Sequence, residues 1–110
     1  MDKKHERQWH LLIADDEEAA RDFLADILAD EGYKVHTVKN GNDGIAHIKS
    51  GAEVDLVLTD IRMPNGDGMD LMKGAKEENP AIEVIIMTGY ASVETAGEAM
   101  NRGAYCYLIK

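Results

Sequence analysis

The chain predicts a doubly wound parallel α/β fold, and three observations carry that expectation. Short runs rich in Val, Ile, Leu and Tyr alternate with stretches of helical period, two of the runs are apolar throughout, and acidic or hydroxyl residues follow directly after several of them. Such alternation of strand and helix signals is the pattern of a parallel sheet with helices on both faces. Five strands are expected, over residues 9–14, 33–38, 54–59, 82–87 and 105–109. Leu56-Val57-Leu58 and Val84-Ile85-Ile86-Met87 show no polar alternation, so they are read as central strands covered on both faces.

Between the first two strands, Ala20, Phe23, Leu24, Ile27 and Leu28 recur at helical spacing, and Gly32 stands where a left-handed residue ends a helix. The second helix, near residues 43–50, has Ile45 and Ile48 on one side, and the third carries Met69, Leu71 and Met72 before Asn79-Pro80 stops it. A fourth helix over residues 92–101 has Ser92 as cap and Gly103 as terminator. Gly97 inside it costs about 1 kcal/mol relative to Ala, so this helix is expected to be the most loosely held. Asp67, between Gly66 and Gly68, reads as turn chemistry.

With 110 residues the chain fits one domain, and its 45% apolar and 30% charged composition is ordinary for a globular domain and argues against a disordered tail. No apolar run approaches the roughly 18–20 residues that cross a bilayer, and the charged start lacks a signal-peptide core, so a cytoplasmic location is expected. The lone Cys106 excludes an internal disulfide and a multi-thiolate metal site. A net charge of -9, from 12 basic and 21 acidic residues, makes direct nucleic-acid binding unfavourable, so any DNA contact belongs to another domain. His5, His10, His36 and His47 are scattered without metal-ligand spacing.

In an open parallel sheet, ligands bind beyond the carboxyl ends of the strands. There the chain places Asp15-Asp16 after the first run, Asp60 after the third, Thr88-Gly89 after the fourth and Lys110 after the fifth. Carboxylates about 4 Å apart repel by about 4 kcal/mol per pair at an effective dielectric constant of about 20. Lys110 offsets one charge and a divalent cation would offset the rest; an all-oxygen set favours Mg²⁺ over Zn²⁺. A carboxylate so placed can act as nucleophile and form an aspartyl phosphate. Asp60, at the tip of a central strand, is the expected acceptor. Asp15 and Asp16 would hold the metal with Asp60, with the Arg62 carbonyl as a further ligand, while Thr88 and Lys110 donate hydrogen bonds to phosphoryl oxygens. Taken singly, paired aspartates are more often a helix cap, Thr88 a turn residue and Tyr107 a sheet residue.

The segments Leu12-Ile13-Ala14-Asp15-Asp16-Glu17, Leu58-Thr59-Asp60-Ile61-Arg62-Met63-Pro64, Met87-Thr88-Gly89-Tyr90 and Gly103-Ala104-Tyr105-Cys106-Tyr107-Leu108-Ile109-Lys110 together resemble a response-regulator receiver domain, over almost the whole chain. The resemblance implies a flavodoxin-like sheet of order 2-1-3-4-5. It also implies Mg²⁺-dependent phosphoryl transfer to Asp60 from a sensor histidine kinase or phosphotransfer protein, catalysed by the receiver itself and followed by slow hydrolysis. In such receivers the hydroxyl matching Thr88 moves toward the phosphate and the aromatic matching Tyr107 turns inward, which remodels the face of the fourth helix and fifth strand. Shifting a population from 1:99 to 99:1 needs about 5.5 kcal/mol, and new bonds from Thr88 and Lys110 are the expected source. Tyr90 and Arg62 stand where side chains control water access, and Tyr90 is expected to shield the phosphate. The wording of residues 59–64 resembles receivers of multidomain transcriptional activators, implying a DNA-binding output domain outside this chain.

Receivers continue past the lysine with a proline and a fifth helix, whereas this chain stops at Lys110. The fifth helix is therefore expected to be missing, leaving apolar surface on the last two strands, with lower stability or cover from a second copy in a homodimer. The terminal carboxylate on Lys110 is expected to impair phosphorylation. A magnesium-dependent phosphatase acting on external substrates would need a general acid and a substrate pocket, and the sequence offers neither. A flavodoxin-like cofactor binder would need a phosphate loop where Asp15 and Asp16 stand, and they would repel a phosphate. A receiver working by contact alone would not need the intact set of acidic, hydroxyl and amino residues.

Overall fold

The computed structural model describes residues 8–89 and 93–109. Its elements run β1 (His10–Ala14), α1 (Glu18–Asp30), β2 (Lys34–Val38), α2 (Gly41–Lys49), β3 (Leu56–Thr59), α3 (Gly68–Glu78), β4 (Glu83–Thr88), α4 (Val93–Asn101) and β5 (Cys106–Ile109). The strands form one parallel sheet in the order β2-β1-β3-β4-β5, as the resemblance implies. Strand order reverses between β1 and β3, which opens a crevice at their carboxyl ends. Each expected strand is present with ends shifted by one or two residues, and among the described residues there are four helices.

Local chemistry explains the helix ends. Asn40 caps α2 by accepting a 2.7 Å hydrogen bond from the Asp43 amide, so the helix starts at Gly41, earlier than the apolar spacing suggests. Gly32 and Gly103 follow α1 and α4 with φ of 98° and 106°, the left-handed turn expected of them. Asp67 does more than turn the chain. Its carboxylate accepts from the Asp70 amide at 2.9 Å while its own amide donates to Asp70 Oδ2 at 3.3 Å, a reciprocal capping box that starts α3. The expected cap Ser92 lies outside the described residues.

One face of the sheet carries Leu12, Ala14, Val57, Val84 and Ile86, and Ile48 of α2, Leu71, Met72 and Ala75 of α3 and Ala99 of α4 close over it. Both faces of β3 and β4 are covered, as expected of central strands, but unevenly. Val57, Thr59, Val84 and Ile86 are buried, while Leu56, Leu58, Ile85 and Met87 on the opposite face are only half-buried. The reason is the reach of α1, which packs on β1 and β2 and leaves Leu56, Leu58 and Ile85 lining an open apolar groove with Trp9, Leu28 and Tyr33. The apolar stripe of α1 is wider than this one contact uses: Phe23 is 65% exposed and no residue of the helix is fully buried. On β5, Leu108 and Ile109 are also exposed. Among the described residues, no helix is long and apolar enough to cross a membrane.

Candidate functional site

Strand register builds the site. Ala14 of β1 is paired with Thr59 of β3, so the next residues, Asp15 and Asp60, leave the sheet side by side, and the Asp60 amide donates to the Ala14 carbonyl at 3.0 Å. Asp15 and Asp60 are 2% and 8% exposed, whereas Asp16 faces solvent, so two carboxylates are sunk into the edge and one guards its rim. One oxygen from each of the three lies within 4.8 Å of the others.

The two buried carboxylates are aimed by nearby backbone. Asp15 Oδ1 accepts from the Glu17 amide at 2.9 Å, and the Arg21 guanidinium donates to the Asp15 carbonyl at 3.1 Å. Asp15 is thus not the cap of α1: Glu17 holds that position, without a side-chain bond. Asp60 Oδ1 accepts from the Ile61 amide at 2.7 Å. The loop after Asp60 is held from the side by α2, whose first amides donate from Gly41 to the Gly66 carbonyl at 2.7 Å and from Asn42 to the Asn65 carbonyl at 3.1 Å. Gly66 has φ of 97°, and a Cβ there would come within 2.6 Å of Asn42 Oδ1, so glycine is needed for this close approach.

Three carboxylates at this spacing repel by about 3–4 kcal/mol per pair at an effective dielectric constant of about 20. The cluster contains oxygen donors alone, a set that fits a hard divalent cation such as Mg²⁺. Thr88 ends β4 and is fully buried. Tyr107 of β5 is paired with Ile86, two residues before Thr88, and packs against the core cluster on the same face of the sheet. Arg62 stands exposed in the loop after β3. The expected contributors Lys110 and Tyr90 lie outside the described residues.

Sequence spacing gave no sign of a histidine pair. His36 of β2 and His47 of α2 stack with ring centroids 3.8 Å apart and planes 6° from parallel. Burial, and then the charge of His36, hold the pKa of His47 below its ordinary value. Parallel rings point their in-plane nitrogen lone pairs in separate planes, so the stack does not form a two-histidine metal site.

Fold and site together define a small parallel α/β module with a partly buried, cation-suited carboxylate cluster at its switch point. The family model of the response regulator receiver domain matches residues 11–110. The chain is 42% identical over 100 residues to the transcriptional regulatory protein ZraR of Salmonella typhimurium, across 91% of this chain and 22% of that protein. A CheY-like receiver domain protein of Methanospirillum hungatei has the same fold with a TM-score of 0.89 and 35% identity, over 94% of this chain and 82% of that one. A Burkholderia pseudomallei response regulator, crystallised with a phosphorylated aspartic acid, calcium ion and citrate, gives a TM-score of 0.86 and 28% identity, over 94% of this chain and 60% of that one. The chain belongs to the response-regulator receiver family, a signalling domain of two-component systems related to transcriptional regulators.

Proposed function

We propose that this chain is a phosphoacceptor whose Asp60 carboxylate takes a phosphoryl group from a sensor histidine kinase or phosphotransfer protein. The observation that carries this reading is the convergence of Asp15, Asp16 and Asp60 within 4.8 Å at the strand tips. Asp15, Asp16 and Asp60, with the Arg62 carbonyl, would hold Mg²⁺, which supplies charge neutralisation for the incoming phosphoryl group. An Asp60 oxygen forms the new bond to phosphorus as the bond to the donor imidazole nitrogen breaks, and that nitrogen keeps the electron pair. The Ile61 amide bond to Oδ1 restrains the carboxylate in the orientation from which it attacks. Thr88 and Lys110 donate to phosphoryl oxygens, and Tyr107 follows Thr88 because both stand on one sheet face.

The switched surface is the face of α4 and β5. It controls an output domain outside this chain, a DNA-binding one if the chain works as its transcriptional relatives do. The aspartyl phosphate in the Burkholderia relative supports the acceptor chemistry. A cytoplasmic location belongs to the same reading. So does a second copy covering exposed Tyr105, Leu108 and Ile109, against which a monomer in concentrated sedimentation runs would count. The test of the acceptor role is incubation with Mg²⁺ and acetyl phosphate followed by intact-mass analysis. One added phosphoryl group is expected on the wild-type chain and none on Asp60→Asn; equal labelling of both would refute the assignment.

A further inference from the structure

Thr59 is the last residue of β3 and is 1% exposed, yet its hydroxyl is not needed to fill the core: valine has nearly the same shape and an equal preference for strands. The hydroxyl instead donates a 2.8 Å hydrogen bond to the carbonyl of Asp60. Gly68 closes that carbonyl in from another side, since a Cβ at position 68 would collide with the Asp60 carbonyl oxygen. The other half of the same peptide unit is the Ile61 amide, which donates to Asp60 Oδ1 at 2.7 Å. The Ile61 carbonyl in turn accepts from the Gly68 amide at 2.9 Å.

A peptide unit is a rigid plane, so fixing the direction of its carbonyl fixes the direction of its N–H. The Thr59 hydroxyl therefore sets the aim of the very N–H that restrains the Asp60 carboxylate. We propose that Thr59 is a positioning residue for phosphoryl transfer, acting through the plane of the peptide between residues 60 and 61. This rests on the reading of Asp60 as acceptor. The residue touches neither phosphorus nor metal in this role, so its loss should slow the transfer and spare binding.

The experiment compares wild type, Thr59→Val and Thr59→Ser with Mg²⁺ over a range of acetyl phosphate concentrations, with Mg²⁺ affinity measured separately by calorimetry. Thr59→Val is expected to lower the maximal labelling rate about tenfold, the effect of losing one neutral hydrogen bond that maintains reacting geometry. Its half-saturating donor concentration and its Mg²⁺ affinity are expected to stay within about twofold of wild type, and Thr59→Ser to keep the wild-type rate within the same margin. A labelled wild type with an equally fast Thr59→Val overturns the positioning role alone. A Thr59→Ser as slow as Thr59→Val overturns it too, because packing and not the hydroxyl would then be responsible, and so does Mg²⁺ affinity falling in step with the rate, because the residue would then act on the metal centre and not on the aim of the attack. Wild-type protein that takes no label overturns the acceptor reading itself, and this inference with it.

Discussion

Asp15 and Asp60 lie far apart in the chain and meet because each follows, by one residue, a member of the pair Ala14 and Thr59. Their prominence in the sequence comes from a local rule, that polar residues after an apolar run sit at the strand tip, and this made Asp15, Asp16 and Asp60 readable without any knowledge of register. The stack of His36 on His47 had no such local mark, since it depends on how α2 is rotated over β2. It carries a pH prediction. Because burial and His36 depress the pKa of His47, the unfolded chain binds that proton more readily than the folded one. The stabilising contribution is complete above the ordinary value of 6.5 and is lost as pH falls through it toward the lower folded value. Thermal unfolding between about pH 7.5 and about pH 5.5 should show a smaller acid-side fall in melting temperature for His47→Gln than for wild type. Parallel curves would show that the pair does not couple to stability.

At the scale of elements, periodicity told which residues share a face but not how much cover each face receives. Phe23 and Ile27 belong to the apolar stripe of α1, as their spacing says, yet they are exposed because, among the described residues, the helix packs mainly on β1 and β2. The capping box at Asp67 is written in the sequence as two carboxylates three residues apart, but the flanking Gly66 and Gly68 are equally the mark of a plain turn. That box ties the loop after Asp60 to the start of α3. Asp67→Ala should cost about 1 kcal/mol of stability by denaturant titration, the usual worth of an N-cap side chain. An unchanged midpoint would mean that the loop, held by Gly41 and Asn42 from α2, needs no cap.

For the molecule as a whole, the sheet order was legible only through the resemblance, because no residue pattern by itself tells β1 to lie between β2 and β3. The consequence of that order is mechanical. The larger buried face, in which Leu71 and Met72 of α3 are fully enclosed, supports the strand tips that carry the carboxylates. Leu71→Ala is expected to remove about 2–5 kcal/mol, a large part of the stability of a domain this size. A loss below about 1 kcal/mol in urea unfolding would indicate that the helices relax into the cavity.

The most direct measurement is calorimetric titration of Mg²⁺ into the wild-type chain and into Asp15→Asn/Asp60→Asn at fixed ionic strength. One cation site is predicted for the wild type, accompanied by higher thermal stability, and no measurable binding for the double variant. Identical isotherms for the two proteins would show that the three aspartates at the strand tips do not form the centre on which phosphoryl acceptance depends.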